Sequence, residues 1–141
     1  MSDNVLVETD FLFALRPSDS AHEAALSLLR DSSRGVTRLH VSPVSSVEAS
    51  LIMKAARLDN KEVSRALKAM EDAIRDYTNA LYPELSLTHL AVAAELRDAY
   101  GLTFFDSVHA CVALSRRLTY VSSDTKAREA VISEGGKARP L

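Results

Sequence analysis

The sequence predicts an α/β domain built on a mainly parallel sheet. Two observations carry this. Short apolar runs, too short for helices and rich in β-branched residues, occur at Val5–Val7, Leu39–Val41 and Leu118–Ser122. Longer stretches with apolar residues at helical spacing separate them, and strands alternating with helices pair in parallel.

Val5–Val7, bounded by Asn4 and Glu8, reads as a buried strand. Phe11–Leu15 continues as an apolar turn or short helix, stopped by Arg16-Pro17. Ser20 and Glu23 fit a capping box for a helix from Ala21 to about Ser32, with Ala25, Leu28 and Leu29 inward. Leu39–Val41 is the second strand. Ser42-Pro43 starts the next helix, whose predicted inward stripe is Val47, Leu51, Ala55 and Leu58. Asn60 interrupts, and a helix from about Glu62 to Tyr77 carries Val63, Leu67, Met70, Ile74 and Tyr77 on one face. These two helices form an αα-hairpin. Leu87–Tyr100 is helical, closed by Gly101. A helix from Asp106 to Arg116, the strand Leu118–Ser122 and a helix from Asp124 to about Ser133 complete the pattern. After Gly135-Gly136, residues 137–141 are predicted as an edge strand.

At 141 residues the chain is expected to form one domain, residues 1–141. It is long enough to bury roughly 70% of the surface its unfolded chain exposes. Hydrophobic content of 47% with 26% charged residues suits a globular protein in water. No apolar run reaches the roughly 20 residues of a membrane span, and the acidic start does not resemble a secretory signal. The lone Cys111 excludes an intramolecular disulfide, which points to a cytoplasmic location. A net charge of −2 argues against a protein that relies on a broad basic face to hold nucleic acid. It leaves room for one that meets phosphate through a metal held by carboxylates.

Ligand sites in parallel sheets gather at the carboxyl ends of the strands. Glu8, Asp10 and Asp124 follow strands there, and Glu48 and Asp106 lie in first turns of helices. Each has a plainer reading. Glu8 and Asp10 can be a solvated strand end, Ser45-x-x-Glu48 is itself a capping box, and Asp106 and Asp124 can be helix caps. His109 reads as a core or supporting group rather than a ligand, and the other histidines have no paired spacing for zinc. Taken together, the acids would repel one another unless a divalent cation joined them. An all-oxygen donor set favours Mg²⁺ or Mn²⁺.

Four motifs, in order along nearly the whole chain, give it a resemblance to the PIN-domain family, and within it to the small ribonucleases of the VapC toxins. They are Val7-Glu8-Thr9-Asp10 after the first strand, Ser42 to Glu48 at a helix start, Phe105-Asp106 opening an Ala-rich helix, and Ser122-Ser123-Asp124 after a strand. The resemblance implies a three-layer α/β/α fold with a four- or five-stranded sheet. It also implies a metal-dependent endoribonuclease with Glu8, Glu48, Asp106 and Asp124 as catalytic residues. Glu8, Asp10, Asp106 and Asp124 would hold Mg²⁺ or Mn²⁺, supported by Thr9, Ser45 and Ser122. Glu8 stands where the family has Asp, one methylene shorter, and Ser122 where it has Thr. RNA is the implied substrate. A homodimer and a small antitoxin, seated on the hairpin between Pro43 and Tyr77, are the implied partners, and no membrane is involved. Arg16, Arg57, Arg97 and Arg116 are possible phosphate contacts among which the sequence does not choose. A non-catalytic PIN-like module that binds RNA or protein is the alternative, motivated by Glu8. Receiver-like and haloacid-dehalogenase readings lack, respectively, the later-strand Asp and Lys and the nucleophilic Asp.

Overall fold

Alternation along the first strand, β1 (Asp3–Val7), sets the architecture. Val5 and Val7 face one apolar cluster, Leu6 faces another, and all three are fully buried. A strand covered on both faces needs this continuous apolar run, because each face lies against a helical layer. The computed structural model describes residues 2–141. Among them are four strands and seven helices.

The strands are β1, β2 (Thr37–Val41), β3 (Thr119–Val121) and β4 (Ala138–Arg139). They pair in the order β2-β1-β3-β4, every pair parallel. Val5 lies opposite both Leu39 and Thr119, so β1 is the central strand in register as well as order. One helical layer holds α1 (Thr9–Ala14), α2 (His22–Ser33), α3 (Ser45–Ala55) and α4 (Asn60–Arg75), which bury Phe11, Leu29, Ala49 and Ile74 against Val5, Val7, Leu39 and Val41. The other holds α5 (Leu87–Tyr100), α6 (Phe104–Arg116) and α7 (Thr125–Ser133), which pack Leu96, Val108, Val112 and Val131 with Leu6 and Tyr120. The expected three-layer α/β/α fold with its αα-hairpin (α3 and α4) is therefore present, with a four-stranded sheet. The expected edge strand is β4, and Gly101 ends α5 in the left-handed conformation (φ +65°) that its C-terminal position favours.

Three local expectations are corrected. The Ser20–Glu23 capping box does not form. Helix α2 starts at His22, and Asp19 Oδ1 instead accepts from Ala21 N at 2.8 Å. The Ser45–Glu48 box is also absent, because Ser45 already lies inside α3, Glu48 is engaged by Thr9 and His109, and the helix begins with no side-chain cap. The face of α3 is rotated too. Ser45, Ala49 and Met53 point inward, whereas Val47 and Leu51 are more than half exposed. Small Ser45 and Ala49 allow close approach to the neighbouring elements, and the larger apolar residues are left outside. In α4, by contrast, the predicted Val63, Met70 and Ile74 face inward as expected. Its start is fixed by a capping box between Asp59 and Glu62.

Candidate metal centre at the carboxyl edge of the sheet

From β1 the chain turns to one side of the sheet and from β3 to the other. Adjacent parallel strands whose connections diverge leave a crevice beyond their carboxyl ends, where ligands of such sheets bind. Residues 8–10 follow β1 and residues 122–124 follow β3, so the two acid-bearing segments form its walls. They are joined directly: Asp10 Oδ2 accepts from Ser123 N at 2.6 Å and from Ser123 Oγ at 2.7 Å. Its Oδ1 accepts from Phe11 N at 2.7 Å. Asp10 thus clamps the two loops together.

Glu8 is the N-cap of α1, its Oε1 accepting from Asp10 N at 3.1 Å. Its side chain is buried, with Oε2 3.5 Å from both the Tyr120 hydroxyl and His109 Nε2. Burial, then Asp10 and then Glu48, push its carboxyl up to about 10, so without a cation Glu8 is neutral at pH 7. Burial beside Glu8 likewise pushes the Tyr120 phenol upward. The extra methylene of Glu carries the carboxyl inward to meet Tyr120 and His109.

Glu48 behaves differently. Burial alone would raise its pKa, but hydrogen bonds from His109 and Thr9 outweigh it and hold Glu48 below the usual carboxylate range. Thr9 donates its hydroxyl to Glu48 Oε1, and His109 Nε2 lies 2.8 Å from the same oxygen. An ionised Glu48 only accepts, so the proton belongs on His109 Nε2, and Nδ1 accepts from the Ser42 hydroxyl at 2.5 Å. The buried chain Ser42–His109–Glu48–Thr9 fixes Glu48 in one orientation and leaves His109 Nε2 no lone pair for a metal.

Asp106 stands in the first turn of α6, which Thr103 caps. Burial raises its pKa, Asp124 and Glu48 add to the rise, and Thr103 and His109 oppose it. Asp106 precedes His109 by one turn of α6, on the side of the helix that faces Glu48. Asp124 does cap α7, but with one oxygen, Oδ1, which accepts from Ala127 N at 2.8 Å. A cap uses one carboxylate oxygen and leaves the second for a ligand. Ser122 Oγ accepts from Asp124 N at 3.0 Å, shaping that turn. Ser45 is buried at the first turn of α3, and its hydroxyl has no hydrogen-bond partner among the described residues.

Of the sequence candidates, the structure brings Glu8, Asp10, Glu48, Asp106, Asp124, Thr9 and Ser122 to one edge of the sheet. Ser45 makes no hydrogen bond to the acids. Sequence reasoning takes His109, one turn after Asp106, as a core or supporting group rather than a ligand, and in the structure it is buried and holds Glu48. Ser42, Ser123 and Tyr120 were missed as partners. Arg128 was missed as well; it donates to the Ser122 carbonyl at 2.6 Å, tying α7 to the end of β3.

The donor chemistry fits a hard divalent cation. Oxygens of Glu8 and Glu48 lie within 4.8 Å of each other and of His109 Nε2.

Comparison with known proteins identifies the fold and the family. No curated protein sequence matches the chain. Among solved structures, PAE2754 from Pyrobaculum aerophilum superposes with a TM-score of 0.62 at 23% identity, over 98% of this chain and 92% of that one. VapBC2 from Rickettsia felis, bound to a DNA fragment from its promoter, gives 0.65 at 13% identity over 98% of both chains. FitAcB from Neisseria gonorrhoeae gives 0.62 at 20% identity over 95% of both. At such identities these likenesses establish the fold. The PIN domain model matches residues 5–132, from β1 into α7, and the chain belongs to the PIN domain family.

Proposed function

We propose that this chain is a metal-dependent endoribonuclease and the toxin of a toxin–antitoxin pair. One observation carries the reading: acidic residues from four separate segments, with Glu8 and Glu48 at its centre, converge on the crevice between β1 and β3.

In this reading Glu8, Asp106 and Asp124 hold Mg²⁺ or Mn²⁺. When bound, such an ion polarises a phosphoryl oxygen and lowers the pKa of a water. Glu48, held ionised by His109 and Thr9, orients the attacking water and accepts from it. Asp10, bridging to Ser123, supports the site by keeping its two walls at fixed separation. The attack then breaks the bond to the leaving oxygen in line, so positioning does most of the work.

A groove beside α3 fits the partner part of the proposal. Leu12, Phe13, Ile52, Met53, Ala66 and Met70 line a groove of about 560 Å³ between α1, α3 and α4. An antitoxin helix laying its apolar face there matches the general helix-in-groove mode. We place the protein in the cytoplasm as a homodimer on the same family grounds; among the described residues no helix is long and apolar enough to cross a membrane.

The test is cleavage of a single-stranded RNA. Cleavage is expected to vanish in EDTA and to return with excess Mn²⁺ or Mg²⁺. Cleavage that persists in EDTA sinks the metal mechanism. Metal binding without cleavage would leave the non-catalytic module, which the burial and neutrality of Glu8 favour.

A further inference from the structure

We propose that Ser42 decides which cations the crevice accepts, by holding His109 as an Nε2–H donor and so keeping the imidazole out of the donor set. The inference rests on the metal-centre reading and adds to it the residue that governs its selectivity. Ser42 touches neither substrate nor cation in this reading, so its part is positioning, through His109.

The places of the side chains alone permit a different site. His109 Nε2 and one oxygen each of Glu8 and Glu48 lie within 4.8 Å of one another. An imidazole beside carboxylates is a donor set that zinc takes, and nitrogen ligands favour the later divalent metals over Mg²⁺ and Mn²⁺. The proton on Nε2 keeps His109 from joining such a set. That proton goes to Glu48 Oε1, 2.8 Å away, while Glu8 Oε2 is 3.5 Å off.

The other ring nitrogen determines where the proton sits. Ser42 Oγ lies 2.5 Å from Nδ1 and has no other hydrogen-bond partner among the described residues. Its backbone is fixed on both sides just beyond β2, with Ser42 N donating to the Val7 carbonyl at 2.9 Å and Ser45 N donating to the Ser42 carbonyl at 3.0 Å. Both side chains are buried, His109 fully. A proton on Nδ1 would strand the buried Ser42 O–H without an acceptor. It would also take from Glu48 one of its two side-chain donors, His109 and Thr9. A cation bound to both Nε2 and Glu48 makes good the second loss but not the first. The Ser42 hydroxyl is therefore the element that resists a nitrogen-seeking cation. With alanine at position 42, both tautomers present Nδ1 to the same methyl group, and that resistance is gone. Zinc gains more from an imidazole than manganese does, so the ratio of their affinities reads the effect.

The test follows tautomer and binding in the full chain rather than cleavage. In the metal-free protein, proton–nitrogen correlation NMR is expected to show His109 as the Nε2–H tautomer, assigned by its disappearance in His109→Gln. An Nδ1–H tautomer there overturns the proposal. Calorimetric titrations with Zn²⁺ and with Mn²⁺ then give the two affinities. Ser42→Ala should shift their ratio at least about tenfold towards Zn²⁺, the scale on which partners of metal-site side chains act. Ser42→Thr, which keeps the hydroxyl, should hold the wild-type ratio. Zn²⁺-loaded Ser42→Ala should show His109 bound through Nε2 with its proton on Nδ1, a signature that loosened packing does not produce. An unchanged ratio in Ser42→Ala, or a gain that survives when His109→Gln is added, overturns the proposal. Mn²⁺ binding by wild type together with that unchanged ratio leaves the metal centre standing and removes only the role of Ser42. No Mn²⁺ binding by wild type removes both.

Discussion

Asp106→Asn is expected to lower RNA cleavage by at least about a hundredfold while leaving the metal-free protein no less stable than wild type. The activity loss follows from removing a charged ligand of the proposed cation, whose electrostatic stabilisation is worth several kcal/mol at a phosphoryl centre, and about 1.4 kcal/mol is a tenfold change in rate. The stability side follows from the site's own electrostatics. Burial, Asp124 and Glu48 raise the Asp106 pKa, so the folded state holds its proton to higher pH than the unfolded chain does. Where the unfolded state binds fewer protons, stability falls as pH rises. An uncharged Asn escapes that loss. Cleavage rates, with urea unfolding midpoints in EDTA at pH 7, check both halves. An inactive Asp106→Asn with a lowered midpoint would instead indicate a structural acid.

The second large effect concerns Glu8. Its carboxyl is pushed from 4.5 up to about 10, chiefly by burial, with Asp10 and Glu48 adding to it. In the unfolded chain the same group ionises near the ordinary carboxylate value. Below that value both states are protonated and no stability depends on it. Between about pH 4.5 and 10 the unfolded state loses the proton and the folded state keeps it, so stability falls across this window. The metal-free protein is therefore expected to lose thermal stability from weakly acidic to alkaline pH, and Glu8→Gln to flatten the profile. Added Mn²⁺ should restore stability to wild type most strongly at the alkaline end, because a ligand of the folded state stabilises it and must displace the Glu8 proton. Thermal unfolding from pH 5 to 9, with EDTA or Mn²⁺, gives the readout. Matching slopes for wild type and Glu8→Gln would show that Glu8 is already ionised in the fold.

What could be read from the chain alone was set by period and burial. The run Val5–Val7 is apolar without interruption because both faces of β1 are covered, and that continuity marks a central parallel strand. The inward face of α4 could be read because large residues repeat at helical spacing. The face of α3 could not, because the residues it buries are Ser45 and Ala49, and their small size makes them weak signals. The exposed Val47 and Leu51 looked like core for the same reason that they look like a partner surface in the fold. The capping boxes at Ser20 and Ser45 failed for a related cause. A capping box acts through single hydrogen bonds, and Asp19 takes the place of Ser20 in the first while Thr9 and His109 draw Glu48 out of the second.

The acids of the crevice could be named one by one because each follows a strand or opens a helix. Their coupling could not. The Ser42–His109 and Asp10–Ser123 contacts join residues far apart in sequence, and only the packing of α6 against the strand ends and the pairing of β1 with β3 put them within hydrogen-bond reach. The difference between neutral Glu8 and ionised Glu48 arises the same way, from what each carboxyl meets in the fold.

The central claim is that these carboxylates form a site for a divalent cation. Calorimetric titration of the purified chain with Mn²⁺ at pH 7 addresses it most directly, with Asp106→Asn as the comparison. Saturable binding by wild type that Asp106→Asn weakens at least about tenfold is the predicted result. No binding by wild type, or equal binding by both proteins, would contradict it.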